Sequence, residues 1–280
     1  MTIYSTRPWP PHRMDGSDPS SPRTPRRGRT AYARDLITFR YGPHLLLAGM
    51  AVPGGRVLDV GMGEGALALH FQAQGHEVVG VELDPVLAAA ARRRGLNVHE
   101  IDVATDDLSG LGAFDTVICA DVLEHLAQPA DALARLRGLL RPGGQLLVSL
   151  PNVAHASIRL SLLMGRFDYT QEGLLDKTHL RFFTRSSARR LLEHAGFRIL
   201  TEAITLPVPS SAFPRLAALW RVLMERPRAG RALYRFFSLV PGLMAYQFVF
   251  HAVVSDASHG EGRSTPPHAP VAAANGVGPR

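Results

Sequence analysis

Val57-Leu58-Asp59-Val60-Gly61-Met62-Gly63-Glu64-Gly65 is the stretch whose reading decides the fold. Val57, Leu58 and Val60 make a short apolar run with Asp59 inside it, the pattern of a strand buried on both faces of a parallel sheet. Glycines at 61, 63 and 65 then break the strand, and Ala66-Leu67-Ala68-Leu69-His70-Phe71 follows with helix formers and no Gly or Pro. Strand, glycine turn and helix in this order is the nucleotide-site geometry of a doubly wound sheet. Glycine tolerates positive φ and lets a ligand lie against bare backbone, and the start of a helix leaves N–H groups free. The same nine residues also suit a tight turn and nothing more, so the flanking segments have to decide.

Downstream, residues 77–82 read as a second strand, ending in the acidic Glu82. Asp84 is placed to cap a helix and Pro85 to open it; the helix runs to Arg94 and stops at Gly95. Residues 97–101 form a weaker third strand before Asp102, and residues 114–120 a fourth before Asp121. A helix over 129–140 is closed by Pro142-Gly143-Gly144, and residues 145–150 are a fifth strand. This alternation argues for a parallel sheet with right-handed crossovers. After Asn152 come a helix over 156–164, a loop over 165–183 covering the sheet's edge, and a helix from the Thr184 cap to Ala195. A sixth strand at 197–206, helical residues 213–240 and a seventh strand at 244–254 complete the chain. Upstream, a helix at 44–51 leads into the first strand.

The 280 residues are 46% hydrophobic, enough for a substantial core. A single cysteine, Cys119, excludes an internal disulfide and suits a reducing compartment. The N-terminus carries prolines and arginines rather than an apolar run, so no signal peptide is expected. The apolar run at 240–254 is too short and too broken to span a bilayer. These features point to a cytoplasmic protein. Residues 1–30 and 255–280 read as disordered tails, the first basic with six arginines against two aspartates, around one domain at 31–254 with a helical insert at 209–243. The formal charge is +7, concentrated in the first tail and in residues 213–235, which hold six arginines against one glutamate.

Residues 57–65, 81–85, Asp102, 114–126 (FDTVICADVLEHL) and 140–144 (LRPGG) resemble, in order and spacing, the class I S-adenosylmethionine (SAM)-dependent methyltransferases. The resemblance covers residues 40–206. It implies a Rossmann-like, seven-stranded, mostly parallel sheet with helices on both faces and an antiparallel last strand beside the fifth. It also implies SAM as cofactor and methyl transfer as the reaction. Residues 165–169 and 176–183 are similar to segments of bacterial methyltransferases of cell-surface glycan and natural-product pathways, and Thr178-His179 is similar to ubiquinone-type O-methyltransferases.

On that resemblance, Gly61, Gly63 and Gly65 set the backbone against the methionyl and ribose parts of SAM. Glu82 accepts the ribose hydroxyls, Asp102 takes the adenine amino group with Val103 lining the ring, and Asp121 meets the methionyl ammonium or the acceptor. Asp59 orders the turn, while Glu124 and His125 position the following loop. His155, His179 and Asp176 fall in the segments of the acceptor pocket, where a near-neutral imidazole can take a hydroxyl proton. Each residue also has an ordinary structural role open to it: plain turn, surface carboxylate, loop-capping Asp or hydrogen-bonded His. The implied activity moves a methyl group to an oxygen, less readily a nitrogen, of a small-molecule, glycan-pathway or lipid-linked acceptor. No metal is expected, since no His/Asp cluster has ligand spacing along the chain.

Gly61-x-Gly63-x-x-Ala66 with Glu82 also satisfies the loose fingerprint of an NAD(P)-binding oxidoreductase. Glu64 in the loop that would hold a pyrophosphate, and the predicted seventh strand, count against it. Nucleic acid is disfavoured as a substrate, because Ala120-Asp121-Val122 stands where base amino-methylating enzymes show Pro-Pro-aromatic. A non-catalytic SAM-binding module would need a degraded site. In 213–240, Phe213, Leu216, Trp220, Leu223 and Met224 form one apolar stripe. A second helix sets Leu233, Phe236, Phe237 and Val240 opposite Arg228, Arg231 and Arg235. The pair reads either as a lid over the acceptor pocket or as a membrane-surface segment on the inner face of the membrane.

Overall fold

Alternate side chains of the first strand settle the architecture. The computed structural model of the protein describes residues 41–207 and 214–255. The expected tails at 1–30 and 255–280 (all but Ser255), residues 31–40 of the expected domain and residues 208–213 of the insert lie outside the described residues. Seven strands, β1 (Arg56–Val60), β2 (Glu77–Val81), β3 (Asn97–His99), β4 (Phe114–Ala120), β5 (Leu140–Pro151), β6 (Phe197–Ile204) and β7 (Gln247–Val254), form one sheet in the order β3-β2-β1-β4-β5-β7-β6. Leu58, Val117 and Leu146 enter one buried cluster, while their neighbours Val57, Ile118 and Leu147 enter another. Both faces of the central strands are therefore core, which explains the near-continuous apolar runs. β1 pairs parallel with β2 and β4, and β7 is antiparallel to both β5 and β6. This is the Rossmann-like sheet with one reversed strand that the sequence implies.

Helices α1 (Pro43–Met50), α2 (Ala66–Ala73), α3 (Pro85–Arg93), α4 (Pro129–Arg137), α5 (Ala156–Leu163) and α6 (Arg185–His194) cover the sheet or lead from its strand ends. The Asp84 carboxylate accepts from Val86 N at 2.8 Å and caps α3 as expected. Thr184 and Ser187 form a reciprocal capping box on α6.

Several boundaries differ from the sequence reading: the sixth strand ends at Ile204 rather than 206, and the seventh starts at Gln247 rather than 244 because residues 241–244 turn into a short helix. Pro142-Gly143-Gly144 does not end a helix. It lies inside β5, which already pairs at Leu140 opposite Phe114 and resumes at Gln145 opposite Thr116. Pro142 has no N–H to give the ladder, and Gly143 takes φ 77°, so the extra residues bulge out and the strand continues. β3 stops at His99, two residues early, because residue 102 begins a turn closed by Asp106 N bonding to Asp102 O at 2.9 Å. After β6 the insert forms α7 (Pro214–Glu225), α8 (Pro227–Ser238) and the short α9 (Pro241–Met244) before β7. Among the described residues no helix is long and apolar enough to cross a membrane.

Candidate active site

The strand order reverses between β1 and β4, and the crevice outside the carboxyl ends of such strands is where open α/β sheets bind ligands. Gly61 leaves β1 with φ 66°, and Gly63 follows at φ 58°. A Cβ on Gly61 would sit 2.9 Å from Val122 Cγ2, whereas one on Gly63 would meet nothing within 4 Å. Gly63 thus faces open space with its backbone bare. Gly65 is different. It is buried and a Cβ there would overlap the Leu96 side chain, so its glycine lets the start of α2 pack against Ala91 and Leu96 at the end of α3.

Glu82 follows β2, is only 9% exposed, and spends one oxygen on Gly63 N at 2.7 Å and the other on Asp84 N at 2.9 Å. The carboxylate therefore ties the glycine turn to the start of α3, and each oxygen keeps a further lone pair for a hydroxyl. Beneath it Asp59 is 3% exposed and its Oδ2 has no hydrogen-bond partner. Burial, then the neighbouring Glu82 charge, push its carboxyl up to about 7. Asp102 Oδ1 accepts from Ala104 N at 2.8 Å, so part of this side chain caps its own turn. Val103 beside it is buried.

Asp121 ends β4 in the left-handed region, φ 56°, and no other described non-glycine residue has positive φ. Its Oδ1 accepts from Ser149 Oγ at 2.7 Å and from Gln247 Nε2 at 2.8 Å, while its N–H donates to Ser149 Oγ at 3.1 Å. Strands β5 and β7 thus hold a strained residue in place, a device that clusters at functional sites. Ser149 and Gln247 were not singled out from sequence. Gln247 carried one signal, which it shares with His251: a polar side chain among the apolar residues of the seventh strand.

Behind Asp121 a 3₁₀ turn, Leu123–His125, brings Glu124 and His125 to His179 across the loop. One potential ligating atom from each of the three lies within 4.8 Å of the others. The sequence reading found no such cluster because His179 is remote in the chain. Leu180 N and Arg181 N both donate to Glu124 O, at 2.8 and 3.0 Å, and lock the loop down. Glu124 is 1% exposed, and Glu124 Oε2 and His179 Nδ1 are both buried without a hydrogen-bond partner. Burial first, then the Asp121 charge, raise Glu124 well above the usual carboxylate range. Burial, then His125, lower His179, partly countered by Asp176. The other two candidates carry structural duties. His155 Nδ1 accepts from Ser157 N at 3.2 Å and caps α5. Asp176 Oδ1 accepts from Thr178 N at 2.8 Å and from Thr178 Oγ1 at 2.7 Å, closing a turn.

The family model described as a methyltransferase domain matches residues 14–202. The ubiquinone biosynthesis O-methyltransferase of Xylella fastidiosa strain M23 is 31% identical over 190 residues, 65% of this chain and 73% of that protein. A SAM-dependent methyltransferase of Thermotoga maritima has the same fold at TM-score 0.52 and 18% identity, covering 80% of this chain and 95% of its own. Magnesium protoporphyrin IX methyltransferase of Synechocystis PCC 6803, solved with bound S-adenosylhomocysteine, gives 0.51 at 20% identity over 81% of this chain and 85% of its own. With a glycine turn, a carboxylate after β2 and a reversed last strand in one chain, and the family model spanning most of the sheet, the protein belongs to the class I SAM-dependent methyltransferases.

Proposed function

We propose that this methyltransferase transfers the methyl group to a hydroxyl oxygen of a small-molecule acceptor, with His179 as the base. The carrying observation is the meeting of His179 with Glu124 and His125 beside Asp121, under a loop pinned by the Glu124 carbonyl. The name of the Xylella relative, an O-methyltransferase of ubiquinone biosynthesis, supports oxygen over nitrogen.

The residues fit SAM. Gly61 makes the close turn under Val122, and Gly63 has open space where a side chain would stand. Glu82 has lone pairs free for both ribose hydroxyls, Asp102 and Val103 suit the adenine, and Asp121 keeps its Oδ2 for an ammonium or the acceptor. When bound, SAM supplies a methyl group already activated on its sulfonium. The protein's part is to hold the acceptor in line, an effect worth roughly 7–11 kcal/mol in well-oriented cases. Because His179 is held below the ordinary imidazole value of 6.5, it stands neutral at pH 7 and can take the acceptor's proton. Asp176 and Asp121 favour the resulting imidazolium.

Turnover of labelled SAM against a panel of hydroxyl acceptors, followed across pH, tests this. The wild-type rate is flat at pH 7 and above and falls only in the acid range, at a pH below the ordinary imidazole value. His179→Ala loses about 10²–10⁴-fold in turnover while SAM affinity stays put. A variant that turns over normally and only melts earlier leaves His179 a structural residue.

A further inference from the structure

We propose that the outward face of α7 and α8 docks on an anionic lipid bilayer surface. The pair has an inner side: Trp220, Leu233, Tyr234 and Phe237 pack on the core with buried Met224, and the Trp220 and Phe237 rings meet edge to face at 6.0 Å. What remains outside is not the polar face of an ordinary surface helix. On α7, Leu219 is 64% exposed, with Val222 and Leu223 exposed one turn on. On α8, Phe236 is 58% and Leu239, just after it, 76% exposed.

The sequence reading set Phe236 with Leu233 and Phe237, opposite the arginines. The structure moves it to the arginine side. Arg228, Arg231, Ala232, Arg235, Phe236 and Leu239 are all exposed at helical spacing, and α8 contains no acidic residue. Arg226, Arg228, Arg231 and Arg235 form no ion pair among the described residues. At the α7–α8 corner Arg226, Arg228 and Arg231 flank a shallow, open depression, where three guanidinium groups can meet a phosphate at a lipid surface.

Exposed aromatic and aliphatic side chains interleaved with unpaired arginines are the makeup of a helix lying in the membrane interface. Arginine stems lie along apolar surface while their heads stay in water. Nucleic acid would use the arginines and leave Leu219, Phe236 and Leu239 idle. The docking face is continuous with the chain at the end of β5. After α8 the chain enters α9, whose Gly242 carbonyl accepts from Asn152 Nδ2 at 3.3 Å at the end of β5. α5 starts from the same strand end and exposes Leu160, Leu163 and Met164. The proposal does not depend on which acceptor is methylated or on His179.

The test is co-sedimentation of the full chain with vesicles of phosphatidylcholine alone and of an equal mixture with phosphatidylglycerol. Wild-type protein pellets with the mixed vesicles and not with phosphatidylcholine alone. Each arginine at such a surface is worth about 1 kcal/mol, so Arg228→Gln/Arg231→Gln/Arg235→Gln weakens binding on the order of a hundredfold. Phe236→Ser/Leu239→Ser weakens it as well, because the face inserts. Both variants alter exposed side chains, and calorimetric SAM binding reports that they remain folded. Wild-type protein left in the supernatant, unchanged pelleting of the arginine variant, or unchanged pelleting of the apolar variant each overturns the proposal. The arginine variant separates this face from the basic residues 1–30, which it leaves intact.

Discussion

Glu82 gives both carboxylate oxygens to backbone N–H groups, so its removal acts on the turn as well as on the ligand. Glu82→Ala removes two charge-assisted bonds to half-buried backbone N–H groups that water can partly replace, and removes those to a ribose. We expect both a lower melting temperature and SAM affinity at least about tenfold weaker, since about 1.4 kcal/mol is tenfold. Unchanged calorimetric affinity would misplace the cofactor. Asp59 makes a separate prediction. Its folded-state carboxyl is raised from 3.8 to about 7, so its contribution to stability is full below 3.8 and is lost as pH rises through about 7. The melting temperature of Asp59→Asn should therefore fall less than that of wild type between pH 4 and 7. Glu124, also raised, keeps part of the slope in both proteins. Parallel melting profiles would mean that Asp59 is ionised throughout.

At the scale of the element, the glycine turn divides by function. Gly65→Ala forces a Cβ into Leu96 at φ 79°, combining overpacking of typically 1–3 kcal/mol with roughly 1–2 kcal/mol of left-handed strain. Its expected cost is several kcal/mol of stability by denaturant titration. Gly63→Ala meets no neighbour and pays only the left-handed strain at φ 58°, roughly 1–2 kcal/mol, so it costs less stability than Gly65→Ala, but it puts a methyl where SAM is proposed to lie and should lose SAM affinity. The reverse pattern would contradict the division. These elements also show what a sequence can and cannot say. β1, β2 and β4 were legible because strands buried on both faces must be apolar throughout, and Asp84-Pro85 was legible because capping is local chemistry. The Pro142-Gly143-Gly144 bulge was not, since the same three residues end a helix as readily as they interrupt a strand. His155 shows the limit for sites, because nothing in its neighbours distinguishes a helix cap from a base.

Across the whole molecule, the parts of the site illegible in the sequence are the ones assembled from afar. Asp121 is held by Ser149 on β5 and Gln247 on β7, and Glu124 meets His179 from a loop. Only the sheet order, with β7 slotted antiparallel between β5 and β6, brings them together. Gln247→Leu should accordingly relax Asp121 and reduce turnover while β7, held by its pairing with both β5 and β6, still forms. An unchanged rate would make that hydrogen bond incidental to the site. The central claim, that this crevice is built for SAM, is tested most directly by isothermal titration of the full chain with SAM, S-adenosylhomocysteine and NAD. The account predicts one-to-one binding of the first two and none of NAD; failure of both, with NAD bound in their place, would contradict it.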